Sequence, residues 1–460
     1  MRRSSAAYSA LTLLPGVSMS PLRPCSLQRP APGLPLALPL LALLLAAVLA
    51  GCAAPSAPPA APAAAPAAPA PPPVAAPPTA PPPVAAAPAP AAPAAPPPVL
   101  PFDEAVLSAA NNVLGKAQLP EQNRFNLVID PLIDGVTGAQ TVTTKAMGQI
   151  LARVVKESFP RYAVQPFSAA NVRQGPLILI GTFTGVNAER KTEGLRESFR
   201  ICFALADLRT GKLVSKGLAF AKGEGVDSTP LPYFRDAPVW LDDPATTGYI
   251  RTCQGTRAGD PINPAYIDRI VTATTIAEAI DAYGAGRFAD ALKLYETARE
   301  SPGGDQLRVH TGLYLTNLKL RRMNEARKAF GDVIDRGLDN KRLGIKILFK
   351  PGTAAPWADP AAGPQPYTMW IGEIAARAGK RNTCLELGGH TSPTGAEPVN
   401  ERLSLLRAEA VRRSLSGQTA KLAPKLSTKG YGSKQTLVGN GRDDLSDALD
   451  RRVELNVLNC

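Results

Sequence analysis

The residues best placed to do chemistry lie within 387–410, in the run LGGHTSPTGAEPVNERLSLLRAEA. The run reads as a short apolar strand, a loop rich in Gly, Pro and Thr, and a helix that carries Arg407. Asn400, Ser404 and Arg407 stand at i, i+4 and i+7, so a helix that starts near Glu401 sets them on one stripe facing back toward loop 391–395. Such a stripe suits a carboxylate. The guanidinium offers a planar fork that takes one bidentately, and the loop adds backbone N–H groups and the hydroxyls of Thr391, Ser392 and Thr394. The same arginine could instead tie helix or strand carbonyls and serve only the fold. His390 reads as a structural residue at a strand end rather than a ligand.

Asp130 and Asp134 resemble a pair of carboxylates for acid–base work. They leave a strand beside Pro131 and Gly135, where Asp closes turns, and are read as turn-forming. Only two histidines occur, His310 and His390, which leaves little material for a zinc site or a Ser-His-Asp triad. No CxxC or His/Cys cluster points to a metal. The expectation is a protein without catalytic residues, metal or cofactor.

The elements that must position loop 391–395 sit at the end of a composite chain. The first 51 residues hold four arginines and no acid, then an apolar stretch over 34–49 that is too short to span a membrane, the pattern of an export signal. It ends Leu49-Ala50-Gly51-Cys52, which resembles a bacterial lipobox and implies lipidation of Cys52. Ala53 after it is what the lipoprotein sorting rule associates with the outer membrane. Met19 is an alternative start.

Residues 53–101 contain 21 Pro and 22 Ala among 49 and no charge. That composition cannot build a core. It favours extended polyproline II, a disordered tether reaching up to roughly 150 Å. Removing the leader lowers the net charge from +13 to +9, and 342–460 alone carries 17 Lys/Arg against 11 Asp/Glu. An anionic wall polymer is a sensible partner for that surface. Nucleic acid is not, because the export signal puts the chain in the wrong compartment. Once Cys25 leaves and Cys52 is acylated, four cysteines remain, with three possible connectivities. The within-domain set is expected, Cys202 with Cys253 and Cys384 with Cys460.

The fold expected is multidomain α/β. Over 102–266, helices at 103–116 and 141–159 alternate with strands at 124–130, 162–166, 177–184 and 198–207, and a hairpin partner follows at 212–222. The segment 223–266 carries six prolines and five aromatics without periodicity, and is expected to be a long ordered loop forming a binding surface. Residues 267–340 turn helical with a period of 35, Ala291, Tyr295 and Ala298 answering Ala326, Phe330 and Val333. They form a rigid spacer or a peptide groove. Residues 341–460 give strands near 343–349, 385–390, 426–430 and 452–458, with helices near 369–378, after 400, and from Asp443-Asp444. That arrangement predicts one sheet packed by helices on one face, an α/β sandwich.

Three resemblances sharpen these expectations. Gly389-His390-Thr391, Gly395, Asn400, Leu403-Ser404, Arg407-Ala408, Gly430-Tyr431-Gly432 and Arg451-Arg452-Val453-Glu454 resemble the motifs of the OmpA-like, peptidoglycan-associated family. The resemblance implies non-covalent, non-catalytic binding of peptidoglycan, with Arg407, Ser392, Thr391 and Asn400 at positions around the diaminopimelate group. Ser392 stands where the family has an Asp, Lys350 where it has an acid, and Asp450 where it has an Asn. Losing the charged partner of the ligand ammonium removes about 1.5–3 kcal/mol, on the order of ten- to a hundredfold in affinity. The runs VIDPLIDG, LIGTFTG and ALADLRTGKLVSKG are similar to periplasmic domains of outer-membrane lipoproteins of the CsgG, FlgO and LpoB kind. The run 286–292, GRFADAL, resembles a tetratricopeptide unit.

Together these imply an outer-membrane lipoprotein facing the periplasm of a Gram-negative bacterium and linking membrane to wall. The alternatives are an adaptor whose middle domain and repeats recruit an envelope protein, and a wall-modifying enzyme using Asp130 and Asp134.

Overall fold

The computed structural model describes residues 96–121, 124–241, 243–356, 366–442 and 446–460. The leader, Cys52, the tether up to residue 95 and the Asp443-Asp444 start of a helix lie outside them. Among the described residues no helix is long and apolar enough to cross a membrane.

The first sheet is built from β1 (Val99–Leu100), β2 (Phe125–Ile129), β3 (Ile133–Asp134), β4 (Tyr162–Gln165), β5 (Leu177–Val186), β6 (Ser198–Asp207) and β7 (Lys212–Lys222). Its order is β1-β7-β6-β5-β2-β4, with β3 paired to β5. β2 runs parallel to β4 and β5, while β5, β6 and β7 form an antiparallel meander. The Pro/Ala segment, expected to stay unstructured to Pro101, ends earlier: Val99 and Leu100 pair in parallel with Phe220 and Ala221. Leu100 is partly buried against the core under the sheet, while Val99 stays exposed.

Strict alternation explains how the sheet is covered. Ile201, Phe203 and Leu205 of β6 pack with α1 (Phe102–Gly115) and α2 (Val142–Ser158). Cys202, Ala204 and Ala206 face the other way, into a core with Tyr249, Cys253 and Tyr266. Both faces are therefore buried, and the central strands read as almost continuous apolar runs. Helix α2 starts where the sequence changes period, at a capping box in which Thr141 and Thr144 exchange side-chain and backbone hydrogen bonds. A short helix, α3 (Ala169–Val172), precedes β5.

The segment after β7 differs from the expected surface loop. It folds into α4 (Pro232–Asp236), α5 (Pro244–Gln254) and α6 (Pro264–Ile267). Tyr233, Phe234, Tyr249 and Tyr266 are buried. Three of the six prolines that obscure the periodicity, Pro232, Pro244 and Pro264, occupy first turns of these helices, where a missing N–H costs nothing. A disulfide joins Cys202 of β6 to Cys253 of α5, with Cα atoms 6.2 Å apart.

Two antiparallel helix pairs follow: α7 (Ile270–Gly284) with α8 (Phe288–Glu300), and α9 (Leu307–Lys319) with α10 (Met323–Asp339). Ala291, Tyr295, Ala298, Ala326, Phe330 and Val333 are all buried, as their 35-residue spacing requires. The chain ends in a second sheet of β8 (Lys346–Leu348), β9 (Cys384–Gly389), β10 (Leu426–Gly430) and β11 (Arg452–Leu458), in the order β10-β9-β11-β8. Helices α11 (Tyr367–Lys380) and α12 (Glu397–Gln418) cover it. A disulfide links Cys384 at the start of β9 to Cys460. One apolar core runs from the 231–241 segment through the helix pairs into this sheet.

The two aspartates part company. Asp134 closes a turn, its Oδ1 accepting the N–H groups of Val136 and Thr137 and the Thr137 hydroxyl. Asp130, also expected to close a turn, instead accepts the Tyr266 hydroxyl in the core. Burial pushes its carboxyl up to about 7, against the lowering effect of that hydrogen bond. The folded chain then holds a proton that the unfolded chain releases near pH 4. This contribution to stability is present below pH 4 and is lost as pH rises through 7. Asp130→Asn should flatten that fall and stabilise the protein at pH 8 by on the order of 2–4 kcal/mol. Urea unfolding at pH 5 and pH 8 reads the difference, and equal slopes in the two proteins would sink the assignment.

Candidate functional site

Helix α12 begins one turn earlier than its stripe suggests, at Glu397 rather than near Glu401. Pro398 in the first turn fixes a helical φ, so the loop ends at Ala396. The stripe itself is as expected. Asn400, Ser404 and Arg407 are 5%, 0% and 1% exposed and face one direction.

Each of the three holds a different piece of chain. Asn400 donates to the Thr394 carbonyl at 3.1 Å and fixes the loop after β9. The Ser404 hydroxyl donates to its own helix at Glu401 O and accepts the Gly432 N–H at 3.0 Å, tying down the turn after β10. Arg407 donates Nε to Thr353 O at 2.9 Å, one Nη to His390 O and the other to Lys350 O, both at 3.0 Å. Its guanidinium also lies over the Phe349 ring, 5.4 Å from the centroid. The arginine thus pins the end of β9 to the turn after β8. Close approach of helix and sheet requires Gly389, because a Cβ there would lie 1.9 Å from Ser404 O.

His390, at the end of β9, stacks on Tyr431 with ring centroids 5.1 Å apart and planes 5° apart. Burial, then the neighbouring Arg452, pull its pKa down to about 3, against the opposing charge of Glu454. It is neutral at any physiological pH. Its Nδ1 and the Thr391 hydroxyl are buried without a hydrogen-bond partner. The Ser392 hydroxyl lies 3.1 Å from that of Thr394. Ser392, Thr391, Asn400 and Arg407 are therefore brought together, joined through Thr394 and His390. What the cluster offers a ligand is a set of neutral hydroxyls beside a guanidinium already engaged with three carbonyls.

Three further contributors carry little or no mark in the local sequence. Asp450, legible only as a departure from a motif, accepts the N–H groups of Leu437, Val438 and Gly439 and shapes loop 434–442. Arg196, from the turn between β5 and β6, donates to Thr436 O at 3.0 Å, and its own N–H bonds Gly439 O at 2.9 Å. Trp240 extends the second sheet beyond β8: its N–H bonds Gly344 O, and its Nε1 donates to Glu454 at 2.7 Å. Glu454 in turn pairs with Arg452, whose carbonyl accepts the His390 N–H. Only the clustered acid and arginines around 450–454 are a usable signal; nothing local marks Arg196 or Trp240. Among the described residues no group of three His, Cys, Asp or Glu side chains forms a metal site.

The sequence profile of the OmpA family matches residues 370–448, which hold most of α11, then β9, the 391–395 loop, α12 and β10. The C-terminal part of the chain is an OmpA-family domain. Over 88 residues the chain is 38% identical to the outer membrane protein Omp38 from each of two strains of Acinetobacter baumannii, a stretch covering 19% of this chain. It spans 24%, about a quarter, of the length of those curated relatives. Among solved structures, the peptidoglycan-associated lipoprotein of Burkholderia pseudomallei aligns at 22% identity over 25% of this chain and 89% of its own, with a TM-score of 0.21. The periplasmic domain of Helicobacter pylori MotB aligns at 20% identity over 24% of this chain and 69% of its own, with a TM-score of 0.20.

Proposed function

We propose that the chain is a non-enzymatic envelope protein that binds peptidoglycan non-covalently through residues 341–460. A lipid on Cys52 anchors it to the outer membrane, and the Pro/Ala tether spans the gap to the wall. The observation that carries this reading is the OmpA-family match over the residues that form the loop and the α12 stripe. Thr391, with a buried hydroxyl lacking a partner, Ser392, Asn400 and Arg407 are the residues that would line the stem-peptide site. In this reading 102–266 is a CsgG/FlgO-like domain and 267–340 a tetratricopeptide-like spacer.

Ser392 leaves the ligand ammonium without a counter-charge, so binding is weak and improvable. Sedimentation of residues 53–460 with isolated sacculi tests this. Wild type should pellet, and Ser392→Asp should pellet on the order of ten- to a hundredfold more tightly.

A second reading is favoured by the three carbonyls that occupy Arg407. The site is then a retired scaffold, and the middle domain and helix pairs recruit an envelope protein. If neither wild type nor a folded Ser392→Asp variant pellets, wall binding is withdrawn and this adaptor reading replaces it.

A further inference from the structure

Helix α12 turns Asn400, Ser404 and Arg407 to the sheet and leaves an apolar face on its other side. There Val399, Leu405 and Leu406 are 64%, 36% and 44% exposed. Among the described residues no other helix exposes more than one large apolar side chain, and single ones need no explanation. With about 100° of turn per residue, Arg402 and Glu409 fall on the midline of this face. Leu405 and Leu406 lie between them, one on either side of that line, and Val399 and Arg413 share a margin. Neither Arg402 nor Glu409 has an ion-pair partner among the described residues.

The face is complementary to itself. Arg402 and Glu409 are equidistant from the midpoint between Leu405 and Leu406. A two-fold axis lying across the helix at that midpoint sets Arg402 of each copy against Glu409 of the other, around a centre of four leucines. Parallel pairing would set Arg402 against Arg402 and Glu409 against Glu409, and like charges along a seam reject that orientation.

We propose that this face of α12 pairs two copies of the chain, antiparallel and two-fold symmetric, through the Leu405 and Leu406 centre and two Arg402 to Glu409 ion pairs. At each end the aliphatic stem of Arg413 covers Val399 of the other copy. A seam of a few helical turns is small, so the pair is weak, with a Kd on the order of 0.1–1 mM in solution. The two 391–395 loops then lie at opposite ends of the seam, roughly 30 Å apart along its axis. The pairing stands whether or not those loops bind the wall.

Sedimentation velocity of residues 53–460 at concentrations up to about 1 mM should show wild type in a monomer–dimer equilibrium. Arg402→Glu and Glu409→Arg should each weaken it about tenfold with an unchanged thermal transition, because each reversal turns both attractive contacts into repulsive ones. The double variant Arg402→Glu/Glu409→Arg should restore it, since the two-fold axis then merely turns each ion pair round. Orientation is read by mixing the Arg402→Cys and Glu409→Cys variants with a short bismaleimide. The 402-to-409 product should exceed the 402-to-402 and 409-to-409 products at least about fivefold, because like positions lie about 10 Å apart along the seam. The proposal is overturned if wild type stays monomeric, or if the like-position products match the mixed one. It is equally overturned if the single reversals leave the dimer unchanged or the folded double variant fails to restore it.

Discussion

Arg407→Ala should destabilise the C-terminal domain by on the order of 4 kcal/mol or more, whatever it does to a ligand. The side chain is 1% exposed and supplies donors to the carbonyls of Thr353, His390 and Lys350. A hydrogen bond from a charged group contributes about 1.5–3 kcal/mol, and a carbonyl left buried without a donor costs about 1–3 kcal/mol. Truncation also empties the space over Phe349. Arg407→Lys should recover less than half of the loss, because an ammonium is a point charge and cannot reach three carbonyls set around a planar fork. Urea unfolding gives the magnitude, and amide exchange along β9 locates it. A variant as stable as wild type would mean that the three carbonyls find other partners, and would leave the proposed ligand contact as the one role for Arg407. Loss of sacculus binding in an unfolded Arg407→Ala protein is thus no evidence about the site, which is why Ser392→Asp is the informative substitution.

Excised residues 341–460 should lose several kcal/mol relative to the same residues in the whole chain, and Trp370 should become accessible to a quencher. In the intact fold Trp370 is 2% exposed, donates its indole N–H to the Tyr314 hydroxyl at 2.7 Å and stacks on Phe330 with centroids 5.6 Å apart. Arg377 of α11 and Arg381 at its C-cap pair with Asp335 and Asp339 of α10. Val239 and Trp240 cover the β8 edge, which excision leaves as an open row of backbone donors and acceptors. Fully burying one large apolar side chain is worth about 1.5–3 kcal/mol, so uncovering Trp370 alone reaches that scale. Acrylamide quenching of tryptophan emission and urea unfolding of the fragment check this. A fragment as stable as the whole chain, with Trp370 protected, would show that the α10–α11 contacts contribute nothing to it.

The same facts bear on how a sacculus experiment is designed. With Arg196 holding loop 434–442 and Trp240 bonded to Glu454, the neighbourhood of His390 and Tyr431 is shaped partly by residues 150 or more positions upstream. Binding by a fragment and binding by residues 53–460 are therefore different measurements.

Several elements are legible in the amino-acid sequence alone. Strand β6 is readable to the residue because Phe199, Ile201, Phe203 and Leu205 alternate without interruption. Helices α8 and α10 are readable because Ala291, Tyr295 and Ala298 of the one and Ala326, Phe330 and Val333 of the other, all buried, stand 35 residues apart. The 400, 404 and 407 stripe is readable because helical spacing by itself puts those residues on one face. Less legible is 223–266, where prolines at helix starts look like loop punctuation and buried aromatics look like a sticky surface. Asp130 misleads for a similar reason: a strand-exit Asp next to Pro is locally a turn residue, and only Tyr266, 136 residues later, makes it a core acid.

Local sequence determined what most segments other than 223–266 would become, because periodicity and capping act within a few residues of chain. It also placed an arginine, an asparagine and the loop hydroxyls within reach of one another, since a strand, a seven-residue connection over 390–396 and a helix leave few alternatives. Tertiary structure alone decided what the arginine does. Whether a guanidinium meets a ligand or three carbonyls depends on where the turn after β8 lies, more than 50 residues upstream of Arg407, and no local pattern encodes that distance. It likewise decided that α9 and α10 would share one apolar core with the second sheet, because burial of apolar surface, not any motif, brings them together.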